Sequence, residues 1–251
     1  MALIEEFDKS GNWLFRWRSF LPLALYAMAV AVILLTETTD VPHDSFSWSM
    51  ICLGISLFGQ LIRAITVGFT PKSTSGRNTK AGQVAEVLNT KGIYSTVRHP
   101  LYVGNFFMWI GIVIYVGSWW FSAFTVLLFW LYYERIMFAE EFFLRKKFGH
   151  TYLNWAEKTP AFIPKLSKWS NASMSFSIKN VLKREYNGFF AVFISFLLLN
   201  VLKNYLLYKT LSLEFLVNPW WTWLTLGSFV IFITLRTLKK KTSLLKVEGR
   251  W

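Results

Sequence analysis

Tyr94, Arg98, His99 and Tyr102 crowd into the stretch from Gly92 to Gly104, against the start of a long apolar run. Pro100 has a fixed φ and no N–H, and it biases His99 toward extended backbone, so a helix is expected to begin at Pro100 or Leu101. Arg98 and His99 then stand at the helix N-terminus, where free N–H groups and the dipole favour an anionic guest such as a carboxylate or phosphate. A second polar cluster, Glu134-Arg135 followed by Glu140-Glu141, comes after two further apolar runs. Folded as a hairpin, those runs return the chain to the face they left, so that the two clusters meet.

Each of these residues also has a plainer reading. Arg98 suits a basic membrane flank, Tyr94 and Tyr102 an interfacial belt, and His99 a helix cap. Glu140 and Glu141 suit a solvated helix face, with Arg145 one turn on. It is their convergence that points to a site. No Gly-x-Gly-x-x-Gly follows a strand, so a nucleotide-like cofactor has to be held by helix ends and loops.

The elements that position these clusters are membrane helices. Of the 251 residues 54% are hydrophobic, and they fall in long blocks, several of them near the roughly 20 residues that cross a bilayer. The net charge of +13 flanks those blocks and accompanies no nucleic-acid module, so anionic lipid headgroups are its expected counter-charge. Cys52 is the lone cysteine, which excludes an internal disulfide framework and a Cys-x-x-Cys metal site; no metal is expected.

The expected fold is an all-α, polytopic transmembrane protein of about six spans, near residues 20–36, 48–69, 101–117, 119–138, 187–208 and 218–236. Residues 1–19 carry Trp13, Phe15 and Trp17 among basic residues, as an aromatic anchor does. An acidic loop with Glu37, Asp40, His43 and Asp44 follows the first span. Arg63 reads as a snorkelling residue near the end of the second. Thr70 to Thr90 reads as a loop, Gly117-Ser118 as the hairpin turn and Gly149 as a helix stop. Pro160 and Pro164 favour an extended crossing of the site mouth over residues 151–186, a lid, rather than another helix. With both termini inside, 24 of the 27 Lys and Arg residues lie on one face, which puts both clusters on the cytoplasmic side. Three regions follow: 1–79 with two spans, 80–166 as the core with the hairpin and motif loops, and 167–251 as an extension with two spans.

The core resembles the isoprenylcysteine carboxyl methyltransferase and phospholipid methyltransferase family of membrane enzymes. The pattern GxYxxxRHPxYxG is met by Gly92, Tyr94, Arg98-His99-Pro100, Tyr102 and Gly104. After the hairpin come Glu140-Glu141 with Leu144, then Phe148-Gly149, Tyr152, Pro160 and Pro164. The resemblance covers about residues 80–166. It implies S-adenosylmethionine as methyl donor, with Tyr94, His99, Pro100, Leu101, Tyr102, Glu140 and Glu141 lining its site. The implied acceptor is a membrane lipid or lipidated substrate: an isoprenylcysteine carboxylate, a lipid phosphate or a phospholipid amine. Arg98, His99 and Arg135 are the candidates for acceptor handling and chemistry. Where the isoprenylcysteine enzymes carry an arginine four residues before the first motif glutamate, this chain has Ile136, with Arg135 adjacent, so the acceptor stays open. The alternatives are a sterol- or steroid-type membrane reductase using NADPH, and a non-enzymatic binding or transport protein.

Overall fold

The computed structural model describes residues 2–18, 20–35, 45–72, 74, 77–79, 82–208 and 220–250. The acidic loop with Glu37, Asp40, His43 and Asp44 lies outside them. In chain order the helices are α1 (Leu3–Trp17), α2 (Leu21–Leu35), α3 (Phe46–Phe69), α4 (Pro100–Tyr115), α5 (Trp119–Phe148), α6 (His150–Ala156), α7 (Ile178–Tyr208) and α8 (Trp220–Lys241). A two-stranded antiparallel ribbon, β1 (Arg77–Thr79) and β2 (Gly82–Val84), sits within the stretch read as a loop.

This is an integral membrane fold. Among the described residues α3, α5, α7 and α8 are long and apolar enough to cross a bilayer, while α2 and α4 are shorter apolar helices. Large apolar side chains such as Phe58, Leu127, Leu131, Leu198 and Val230 face outward, as lipid contact requires. The 30 residues of α5 extend roughly 45 Å, more than the roughly 30 Å of hydrocarbon, so one end of the helix projects beyond it.

Small residues let the central helices approach closely. A Cβ on Gly104 of α4 would stand 2.8 Å from the carbonyl oxygen of Gly59 in α3, and one on Gly111 would meet Ser56 Oγ at 2.3 Å. The pair α3 and α4 makes the most extensive contact in the molecule. Around it, Cys52, Tyr115, Phe121, Phe196 and Trp221 draw α3, α4, α5, α7 and α8 into one apolar core. A second core, with Phe15, Phe129, Tyr133 and Ile136, binds α1 to the α4–α5 hairpin. Gly117, at φ 87°, makes the hairpin turn, and Gly149, at φ 52°, ends α5.

Two expectations are corrected. Residues 150–156 form a helix because Tyr152, Leu153, Trp155 and Ala156 pack onto Leu144 and Ala85, an apolar face that outweighs the nearby prolines. The helix α7 begins at Ile178 rather than near 187, its polar first turns standing beyond the apolar block. Between α6 and α7 the chain runs along the polar motif. The amides of Arg98 and His99 donate to Pro160 and Ala161 oxygens at 2.9 and 3.1 Å, and the amide of Gly92 donates to Ser170 at 3.1 Å.

Candidate functional site

Pro100 is the first residue of α4, and His99 before it is neither helical nor extended, with φ −120° and ψ 59°. On α5, the neighbours Glu140 and Glu141 straddle the buried imidazole of His99. Its Nε2 lies 2.9 Å from Glu141 Oε1 and its Nδ1 lies 3.4 Å from Glu140 Oε2. The His99 ring also stacks on Tyr102, with centroids 5.6 Å apart. Burial disfavours the charged ring, but the hydrogen bonds and charges of Glu140 and Glu141 outweigh it and raise the His99 pKa above 6.5.

Arg98 is fully engaged. Its Nε and Nη2 donate to the two oxygens of Glu141 at 2.8 and 3.2 Å, while Nη1 donates to the carbonyls of Ala156 and Thr159, both at 2.7 Å. Such a bidentate pair with two backbone acceptors ties the start of α4 to α5 and to the end of α6. Tyr94, on the 3-10 turn Ile93–Ser95, is buried, and burial pushes its phenol up to about 12. It therefore stays a neutral hydroxyl.

These groups border a half-open cleft of about 180 Å³. Its walls are Arg18, Arg63, Tyr94, Arg98, His99, Pro100, Leu101, Tyr102, Asn105, Glu140 and Arg184. Glu140 is 6% exposed, and its Oε1 has no hydrogen-bond partner among the described residues. A buried carboxylate oxygen left this way sets up a place for a cation or hydroxyl donor.

The structure thus brings Tyr94, Arg98, His99, Pro100, Leu101, Tyr102 and Glu140 to one cleft, with Glu141 behind it on His99 and Arg98. Arg135 stands elsewhere. Its Nη1 donates to Ser10 at 3.2 Å and its guanidinium lies 4.4 Å from the Phe7 ring, both on α1. Five residues before Glu140 is the wrong helical phase; Ile136, four before, shares that face and is fully buried.

Sequence reasoning missed Arg18, Arg63, Asn105 and Arg184. Arg63 donates to both oxygens of Glu185 and, through Nη1, to Asn105 Oδ1 at 2.7 Å. Gln60 Nε2 donates to the same Glu185 at 3.0 Å. A signal for Arg63 existed: Cys52, Ser56, Gly59, Gln60 and Arg63 recur at three- and four-residue spacing, a small and polar stripe that marks the interior face of α3.

Residues 46–151 match the phospholipid methyltransferase family. A protein-S-isoprenylcysteine O-methyltransferase of Schizosaccharomyces pombe is 32% identical over 113 residues, 45% of this chain and 48% of the relative. That of Xenopus laevis is 31% identical over 148 residues, 57% of this chain and 51% of the relative. The chain thus spans about half the length of both. A nickel-cobalt-cadmium resistance protein of Alcaligenes xylosoxydans xylosoxydans is 28% identical over 152 residues, 60% of this chain and 68% of the relative. No solved structure matches the chain.

Proposed function

We propose, from the match of residues 46–151 to the phospholipid methyltransferase family, that the chain transfers a methyl group from S-adenosylmethionine to a lipid or lipidated acceptor in this cleft. The observation that carries the reading is the buried Glu140 Oε1, aimed at no protein donor, beside Tyr94, Tyr102 and the start of α4. The residues present fit this donor. Glu140 suits its ammonium or a ribose hydroxyl, the N-terminus of α4 suits its carboxylate, and the Tyr94 and Tyr102 rings suit its sulfonium.

Held by Glu140, Tyr94, Tyr102 and the start of α4, the donor would supply an electrophilic methyl group to an acceptor oxygen or nitrogen, with its sulfur keeping the electron pair as leaving group. The protein's part is to align and to exclude water. His99 orients Glu140 and Glu141 and holds the Tyr102 ring. Its Nε2 faces Glu141 at 2.9 Å and its Nδ1 faces Glu140 at 3.4 Å, so neither ring nitrogen is turned to an incoming acceptor, and the chemistry best supported is transfer to an acceptor that arrives as an anion. An S-isoprenylcysteine carboxylate is the first acceptor to test. On the basic asymmetry of the sequence we set the cleft at the cytoplasmic face of a protein with about six spans.

Calorimetry on the purified protein tests the reading: S-adenosylmethionine binds and NADPH does not. Binding of NADPH alone would overturn it in favour of a reductase.

A further inference from the structure

At the end of the molecule that holds the cleft, three elements bring ammonium groups together. Helix α7 starts there with Lys179 and Lys183, and α8 finishes there with Lys239, Lys240 and Lys241 in its last turn. Lys239 Nζ donates to the Lys183 carbonyl at 3.1 Å and stands 5.1 Å from the centre of the Tyr186 ring. After α8 the tail turns back. Its Leu245 is buried in a cluster with Tyr186 and Leu235, and its Arg250 donates to the carbonyls of Gly68 and Ser175. Lys246 is therefore held between two fastened points, and the fields of Lys239, Lys246 and Arg184 converge on Lys183. Among the described residues no carboxylate, Glu248 of the tail included, pairs with Lys183, Lys239 or Lys246; the neighbouring Glu185 is turned to Arg63. Beside these lysines the apolar side chains of Ile178, Leu182 and Leu244 are exposed.

We propose that Lys183, Lys239 and Lys246 form a headgroup site for an anionic phospholipid of the leaflet on the cleft's side. The three ammoniums concentrate positive charge where α7 and α8 leave the hydrocarbon, and an anion among them relieves a repulsion that no carboxylate of the protein relieves. Exposed Ile178, Leu182 and Leu244 favour a phosphate that carries acyl chains over a free one, because apolar contact in the interface adds to the charge attraction. Lysines also suit a phosphodiester: each is a compact charge with three rotatable donors and demands no fixed two-oxygen geometry. The inference is independent of the methyl-transfer reading, yet it bears on the cleft. Lys183 directly precedes Arg184, which borders the cleft, and Glu185, which is paired with Arg63, so a lipid that draws α7, α8 and the tail together braces that wall.

The test uses the full-length protein in a neutral detergent, with calorimetry for affinity and native mass spectrometry for the lipid retained. The probes are a short-chain phosphatidylglycerol, a phosphatidylcholine with the same acyl chains, and inorganic phosphate. The wild type is expected to retain the phosphatidylglycerol and to bind it about 10-fold or more tighter than the phosphatidylcholine, less tightly as salt rises. Lys183→Gln, Lys239→Gln and Lys246→Gln are each expected to weaken it about fivefold, the ratio that corresponds to roughly 1 kcal/mol per lysine at an anionic surface, and the triple variant about 100-fold. A control combining Lys146→Gln, Lys158→Gln and Lys165→Gln removes as much charge elsewhere on that side, and its affinity should stay within about twofold.

Equal wild-type affinity for the two lipids overturns the proposal without any substitution. So does a triple variant that binds phosphatidylglycerol normally, or a control that loses as much as the triple variant, since diffuse charge then holds the lipid. Inorganic phosphate that competes at the concentration of the lipid itself overturns the assignment to a lipid. None of these readouts needs S-adenosylmethionine, so a failure of the methyl-transfer reading leaves them standing.

Discussion

Arg63 of α3 and Glu185 of α7 meet fork to fork, Nε to Oε2 at 2.8 Å and Nη2 to Oε1 at 2.9 Å, at the inner end of the cleft. The Glu185 side chain is 5% exposed and that of Arg63 22%. The pair therefore joins the family region to the C-terminal helices through a mostly dry contact, which removal of one partner leaves uncompensated. Glu185→Gln is expected to cost about 3 kcal/mol of stability, the low end of the buried-pair range because Arg63 keeps some water. Thermal unfolding in detergent checks it. Arg63→Gln combined with Glu185→Gln should cost less than the two single changes added together; strict additivity would show that the fork is geometry without coupling.

Glu140→Gln keeps the shape of the side chain and removes its charge. If the unpartnered Oε1 holds an ammonium or hydroxyl of the methyl donor, affinity for S-adenosylmethionine falls by about 10- to 100-fold, matching the roughly 1.5–3 kcal/mol of a charge-assisted bond. Calorimetry on a protein with a normal melting curve reads this out, and unchanged affinity would remove Glu140 from the donor site.

His99 gives the protein a pH-dependent stability of known sign. Its pKa is raised on folding, so the protonated ring stabilises the native state; that contribution is complete below 6.5 and is lost as the pH climbs through the raised folded value. The melting temperature of the wild type should fall over that window relative to His99→Asn, whose side chain does not titrate. Parallel pH profiles for the two proteins would mean that Glu140 and Glu141 do not hold the ring charged.

Orientation is open to labelling. With Cys52→Ser as background, Trp119→Cys at the α4–α5 turn and Glu157→Cys after α6 should react with an impermeant maleimide from opposite sides of a sealed vesicle. Reaction from one side would exclude α5 as a crossing helix.

Much of the site was legible because its signals are local. Pro100 marks the helix start through its own ring, Gly149 the helix stop through its positive φ, and the hairpin between them brings Glu140 and Glu141 to His99. Arg63 was not read as a site residue because a snorkelling arginine and one aimed inward look alike from spacing near a span's end; only its neighbours Gly59 and Gln60 distinguish them. Arg184 and Glu185 were out of reach, since they become neighbours of the cleft only through the packing of α7 on α3, a contact between segments more than a hundred residues apart. The short helix α6 was hidden by the prolines that follow it. Arg135 misled by adjacency: one residue along a helix turns the side chain by about 100°, from the cleft to α1.

That Arg184 lies in α7 has a bearing on when the protein becomes competent during its synthesis. A nascent chain that has delivered residues 46–151 to the bilayer already holds the hairpin and both polar motifs, yet one cationic wall is still in the ribosome. Chains are made at about 5–20 residues per second, so this wall arrives seconds after the motifs it faces. The half-built cleft then lacks the wall that Arg184 supplies, and ribosome-arrested chains ending before and after α7 would differ in protease access to the 157–177 segment. The cleft is complete only once α7 has joined the hairpin.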